Sequence, residues 1–401
     1  MSVPGDILSA LITSGEAPDP YYDRNELSLQ WIGREDWLLE RDIELSPEFL
    51  SRERIFLEIQ VLDTIAEIRV NGALLGSSTN MFRPFSANTK PLLHTGRNRL
   101  SVLIRSPELA AAEAAKSLPY PIPHSIYPVV SMHRNLIRKV QCMSGWDWGP
   151  CLMTGGIYDG ISLVALDGPR IEYVTTRIRR EYGDRGGSLW RLSVTAWLDC
   201  PSAISLEVEA SIGGIASEEA EGAPDGSKLG QAKGRFELAA GSSKAALELT
   251  VTDVKEWWPA GYGDQPLYKL EVRCPATGQA LRKRIGFREL AVVAEEDAAG
   301  RSMTFRVNGR NIFCKGANWI PADALPSRWT RERLDDLISS AAQANMNCLR
   351  VWGGAATSPT ISMTSATRRA FSSGRTACSP APSIPPNPPS SPRSRRSCAT
   401  R

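Results

Sequence analysis

The sequence predicts a multidomain, largely β protein: two β-sandwiches in series, followed by the start of a parallel sheet. Three observations carry this prediction. Short alternating apolar segments, broken by turn residues, run from Trp37 to about Leu166; a second block of similar rhythm runs from Gly168-Pro169 to about Arg288. Between Ile312 and Trp352 an apolar strand, an amphipathic helix and another apolar strand follow one another, the pattern of a βαβ unit that starts a parallel sheet.

In the first block the clearest element is a hairpin. Ile65–Val70 leads into Asn71-Gly72, which supplies the two positive φ values of a type I′ turn, and Ala73–Leu75 returns. Leu100, Val102 and Ile104 alternate with Ser101, Leu103 and Arg105, so one face is strongly apolar, as in a strand of a two-sheet sandwich. The second block carries strands at Ile171–Arg177, Leu189–Leu198, Ile204–Ala210, Ala245–Val251 and Leu267–Val272, with a polar connection from Gly213 to Gly234. About 120 residues with a strand every 10–15 matches an immunoglobulin-like sandwich. After Arg288, Phe305–Gly309 reads as a hairpin and Ile312–Gly316 as a buried strand. Thr330 then caps a helix whose Leu334, Leu337, Ile338, Ala341 and Ala342 share one face; Asn345 ends it, and Cys348–Trp352 is the second strand. The domains expected are 1–168, 169–290, 291–354 and a tail, 355–401. That tail holds no Asp, Glu, Lys, Leu, Val, Tyr or Trp and is expected to be disordered.

The net charge of +3 is small and the tail arginines raise it, leaving a slightly acidic body with no nucleic-acid footprint. No run of about 18 apolar residues suggests a membrane span, and the residues after Met1 do not form a secretion signal, so a cytoplasmic location is expected. The eight cysteines form no CxxC pair and only three histidines occur, which argues against a zinc site; several cysteines read as small buried hydrophobes. No cofactor-binding motif is present, and His94, His124 and His133 stand apart from any nucleophile motif.

The densest polar-aromatic cluster is Gly145-Trp146-Asp147-Trp148-Gly149-Pro150. Two indoles beside a carboxylate, held between glycines and a proline, can stack on the apolar face of a sugar and accept hydrogen bonds from its hydroxyls. The alternative is that the tryptophans plug the end of a sandwich while Asp147 caps a turn. Asn318 and Trp319 follow one strand of the incipient parallel sheet, and Arg350 and Trp352 lie on the next, near the carboxyl ends, which is where a (β/α)8 barrel binds ligands. Against that, the two tryptophans could pack on a neighbouring domain and Arg350 could form a buried ion pair. Trp257-Trp258-Pro259 and Gly261-Tyr262-Gly263 read as a structural aromatic turn.

With these segments the chain resembles the β-mannosidases of glycoside hydrolase family 2. The matching stretches are Val3–Asp6, Pro18–Tyr22, Asn25-Glu26, Gln141-Cys142, Gly145–Pro150, Trp257–Gly263, Lys315–Asp323 and Arg350–Gly354. The resemblance implies a jelly-roll, galactose-binding-like first domain, an immunoglobulin-like sandwich and a catalytic barrel. It implies that Trp146 and Asp147 reach the −1 sugar site, supported by Trp148, and select the axial 2-hydroxyl of mannose. Met143 stands where many members carry a His. The partners implied are β-mannoside oligosaccharides or glycans.

The family hydrolyses terminal non-reducing β-D-mannose with retention, using two glutamates about 5–5.5 Å apart. Both come from later barrel strands, and neither catalytic residue is expected in this chain. The peptide Phe371–Pro380 can be encoded so that dropping two bases yields Leu-Val-Trp-Gln-Asp-Cys-Met-Phe-Ala, which looks like the family's next barrel strand. The expectation is a β-mannosidase-type chain truncated by a frameshift near Gly354 and inactive. The alternative function is a non-catalytic carbohydrate-binding protein.

Overall fold

The computed structural model describes residues 1–122, 133–146, 149–182, 188–215, 228–353 and 372–375. Among them no helix is long and apolar enough to cross a membrane.

The first unit opens with helix α1 (Ile7–Ser14), capped by Asp6, whose Oδ1 accepts from the Ser9 amide at 2.8 Å. Its strands are β1 (Trp37–Leu45), β2 (Arg54–Ile59), β3 (Ala66–Val70), β4 (Ala73–Ser78), β5 (Phe85–Asn88), β6 (Gly96–Ile104), β7 (Ser144–Trp146), β8 (Gly149–Cys151) and β9 (Ile161–Leu166). They form an antiparallel four-stranded sheet in the order β1-β6-β3-β4, a three-stranded sheet β9-β2-β5, and the separate hairpin β7-β8. The expected turn is present: Asn71 has φ 50° and Gly72 φ 84° between β3 and β4. On β6, Leu100, Val102 and Ile104 are buried, and they join Ile7, Leu8, Leu57 and Ile68 in one core. Helix α2 (Pro107–Lys116) follows β6, capped by Ser106.

Among its described residues the second unit has seven strands: β10 (Arg170–Tyr182), β11 (Ser188–Cys200), β12 (Ile204–Ile215), β13 (Gly230–Leu238), β14 (Gly241–Val251), β15 (Tyr268–Cys274) and β16 (Gln279–Ile285). Three pair as β10-β11-β14 and four as β13-β12-β15-β16. Strand β11 shows why they stack. Trp190, Leu192, Val194, Ala196, Leu198 and Cys200 recur with period two, and all are buried against the opposite sheet. Each leucine there contributes on the order of 1.5–3 kcal/mol. Strand β13 begins inside the connection expected from Gly213 to Gly234. The small residues Gly230, Ala232 and Gly234 on its inner positions hide the apolar alternation that would reveal it.

The third unit begins with an antiparallel meander, β17 (Leu290–Val293), β18 (Thr304–Val307) and β19 (Arg310–Ile312). It continues with β20 (Gly316–Trp319), α3 (Arg331–Gln343), β21 (Cys348–Val351) and β22 (Ser372–Arg375), the three strands forming a parallel sheet. The strand expected at Ile312–Gly316 is displaced to 316–319. Buried Asn347 explains the shift: its Nδ2 donates to the Phe313 carbonyl at 3.0 Å and its Oδ1 accepts from the Lys315 amide at 2.9 Å. Those backbone groups are satisfied by a side chain, so the ladder starts at Gly316, and Phe313 is 76% exposed. Thr330 caps α3 as expected, and Leu334 and Ile338 are buried. Leu337 does not join them and is 40% exposed.

The tail expected to be wholly disordered also needs correction, because Ser372–Arg375 pairs in parallel with β21. An open strand edge offers backbone donors and acceptors to any extended segment, whatever its side chains. The rest of 355–401 lies outside the described residues.

Candidate functional site

Hairpin β7-β8 pairs Trp146 with Gly149 and Ser144 with Cys151, leaving positions 147 and 148 between them. Asp147, Trp148 and the Trp146 side chain lie outside the described residues. The base of the hairpin is braced from both sides. Arg134 Nη1 donates to the Ser144 and Gly145 carbonyls at 3.0 and 2.8 Å, and burial lowers the pKa of that guanidinium. Across the hairpin, Glu26 Oε1 accepts from the Cys151 amide at 2.7 Å, and Gln30 Nε2 donates to the Cys151 carbonyl at 2.9 Å. Gly145 has φ 80°, a left-handed backbone that a side chain would strain. The Cys151 thiol is pushed up to about 12 by burial, with Glu108 and Glu26 adding to the shift, so it is an inert packing group.

The parallel sheet has two faces. Trp319 and Leu349 pack with Ile338, Ala341, Ala342 and Met346 on the face covered by α3. Asn318 and Arg350 are register partners on the other face, both exposed, and Arg350 Nη1 donates to Asn318 Oδ1 at 2.8 Å. Among the described residues Arg350 makes no ion pair, and it is exposed. Trp352 continues past β21 and packs against Met81, Val140, Cys142 and Met143, the stretch that leads into β7. Its amide donates to the Trp319 carbonyl at 3.0 Å.

A second joint ties the units together. The Tyr21 hydroxyl donates to Asp323 Oδ1 and accepts from the Ala324 amide at 3.2 Å, while the Arg328 guanidinium sits 5.2 Å from the Tyr21 ring centre. Burial, with Asp323 adding to it, raises the Tyr21 phenol well above its ordinary pKa. Arg333 pairs with Asp323 at 3.2 Å, and Leu325 is fully buried in the core of the first unit. Thus Pro18–Tyr22 and Lys315–Asp323, far apart in sequence, meet.

Behind the hairpin lies a buried charge cluster. Asp63 and Lys139 pair with side-chain exposures of 0% and 3%; the Tyr158 hydroxyl donates to Asp63 Oδ2 at 2.6 Å, and Lys139 Nζ donates to the Thr154 carbonyl at 2.6 Å. The Thr64 hydroxyl also donates to Asp63. Burial and the Asp63 charge raise the Tyr158 phenol well above its ordinary value.

The structure therefore brings Asn318 and Arg350 together and sets Trp352 against the approach to Trp146, but places Trp319 on the helix side. Sequence reasoning missed Arg134, Gln30, Asp63 and Lys139, and named Glu26 only within the matching stretch Asn25-Glu26. Lys139 carried a signal, as a charge beside Leu136, Ile137 and Val140. The aromatic turn read as structural is so: Trp257 is 2% exposed, its amide donates to the Phe287 carbonyl at 2.9 Å, and the Arg288 guanidinium lies 4.4 Å from its ring centre. Among the described residues no group of three or more His, Cys, Asp or Glu side chains could hold a metal.

Comparison with known proteins agrees with this layout. Residues 1–159 match the family described as glycosyl hydrolase 2 galactose-binding domain-like. The β-mannosidase of Bos taurus is 32% identical over 368 residues, covering 88% of this chain and 40% of that protein. A probable β-mannosidase of Caenorhabditis elegans is 30% identical over 369 residues, covering 88% and 39%. The crystal structure of a β-D-mannosidase from Dictyoglomus thermophilum superposes with a TM-score of 0.85 at 32% identity, over 94% of this chain and 44% of that one. An exo-chitosanase from Amycolatopsis orientalis shares the fold, with a TM-score of 0.66 at 18% identity. The chain spans about two-fifths of the length of the curated relatives it matches.

Proposed function

We propose, for a chain that belongs with the β-mannosidases of glycoside hydrolase family 2, that it is the sugar-recognising part of a β-mannosidase-type hydrolase. Its ligand is a terminal, non-reducing β-D-mannose residue on an oligosaccharide or glycan. The first sandwich is the jelly-roll domain of that architecture. The second is its immunoglobulin-like domain, a reading supported by the three-plus-four division of its strands. The sheet β20-β21 opens the (β/α)8 barrel, with α3 as its first crossover helix.

The observation that carries the reading is the packing of Trp352 against the cluster of Met81, Val140, Cys142 and Met143. It supports a reading in which the carboxyl end of β21, taken as a barrel strand, faces the hairpin that carries Trp146 and Asp147. In this reading Trp146 stacks on the sugar ring, Asp147 accepts from its hydroxyls, Trp148 supports the loop, and Arg350 with Asn318 lines the barrel side. Trp319 supports the pair from behind the sheet.

Retaining hydrolysis needs an acid/base carboxyl and a nucleophilic carboxylate about 5–5.5 Å apart. The chain beyond Gly354 contains no Asp or Glu. Residues 355–401 supply neither carboxyl, and the reading proposed for residues 1–401 is sugar recognition without cleavage. Calorimetric titration with a β-mannoside, alongside a chromogenic β-mannoside turnover assay, tests both halves. Binding that is lost in Asp147→Ala, with no turnover, is expected. Turnover that Asp147→Ala abolishes would overturn the inactivity, and absence of binding would overturn the recognition role.

A further inference from the structure

We propose that Cys314 and Cys348 form an oxidisable dithiol, a modification site that oxidised glutathione or a similar small disulfide converts into a cross-strand disulfide at the amino ends of β20 and β21. The two residues are 34 positions apart, yet the fold puts them side by side. Cys348 is the register partner of Gly316, and Cys314 lies two residues before that glycine. The strands approach so closely that a Cβ on Gly316 would stand 1.7 Å from the Cys348 carbonyl oxygen. No side chain therefore separates the thiols, and Cys314 lies near enough to act on the Cys348 thiol. The backbone fixes the approach: the Lys315 carbonyl accepts from the Asn347 and Cys348 amides at 2.8 and 3.2 Å.

Accessibility distinguishes this pair. Cys314 is exposed and Cys348 half-buried, whereas Cys142, Cys151, Cys200 and Cys274 are buried. Burial, together with the Cys314 thiol, raises Cys348 to about 11, so Cys314 is the sulfur that enters the reaction. Its thiolate attacks one sulfur of the small disulfide, that S–S bond breaks, and one glutathione leaves as a thiol after taking a proton. Cys348 then gives up its proton as its sulfur attacks the mixed disulfide on Cys314, expelling the second glutathione. Two protein thiols are oxidised to one disulfide, and one glutathione disulfide is reduced to two thiols.

The test is to incubate the whole chain with oxidised glutathione, quench with a thiol-alkylating reagent, and read intact mass and tryptic peptides. The expected product has lost two hydrogens and joins the peptide 311–315 to the peptide 334–350. Cys348→Ser should stop at a glutathione adduct on Cys314, and Cys314→Ser should leave Cys348 unmodified. A stable glutathione adduct on Cys314 in the unaltered chain would overturn the proposal. So would cross-linking of Cys314 to Cys378 or Cys398, or full alkylation of both thiols after oxidation. Because the readout is covalent, it does not depend on sugar binding.

Discussion

Replacing Lys139 by Met removes the cation from a carboxylate whose side chain is 0% exposed, and the consequence can be worked out from the neighbours. Asp63 would keep only the Tyr158 and Thr64 hydroxyls as side-chain donors. Breaking a buried pair in this way costs about 3–5 kcal/mol. The expected loss is therefore about 3–5 kcal/mol.

Hydrogen exchange of the β6 amides reports opening of the first unit and gives the free energy. Adding Asp63→Asn should restore most of the loss, because the site then holds no charge. A deficit below about 1 kcal/mol would refute the assignment of Asp63 and Lys139 as a mutually dependent pair.

Other outcomes are expected at the hairpin and the joints. Arg134→Met removes both donors to the Ser144 and Gly145 carbonyls and should weaken β-mannoside affinity by roughly tenfold, about 1.4 kcal/mol, in calorimetric titration; an unchanged affinity would mean the hairpin holds its shape without that brace. Leu325→Ala should cost about 2–5 kcal/mol in the same exchange measurement, although the residue lies in the third unit; no effect on β6 would argue against its packing there. Phe313 and Met303, 76% and 72% exposed, should make the chain bind a hydrophobic dye, and Phe313→Ser should reduce that signal.

What could be read from the sequence follows the range of the forces involved. Strand positions in β6 and β11 were legible because burial imposes a two-residue period that Leu100, Val102 and Ile104, or Trp190 to Cys200, display directly. The Asn71-Gly72 turn was legible because its backbone angles demand those residues. Strand β13 was not, since Gly230, Ala232 and Gly234 fill inward positions without looking apolar. The start of β20 escaped for a different reason: the side chain that displaces it, Asn347, is distant in sequence. The candidate site divides in the same way. Asn318, Arg350 and Trp352 could be named from their place at strand ends, and the structure joins the first two and seats the third beside the hairpin. The braces from Arg134, Glu26 and Gln30 depend on tertiary contacts between ordinary polar residues, which leave no local pattern.

Leu325 lies within the stretch that follows β20, yet its side chain completes the core of the first sandwich. The order of units along the chain is therefore not an order of independence. A piece ending at the boundary near residue 168 would lack a core side chain that its own sequence does not encode. Recombination that moved this sandwich into another protein would have to carry the distant leucine with it or fill its place. Such a contact makes the two ends of the architecture inherit one another's mutations, and it binds them as a single unit of selection.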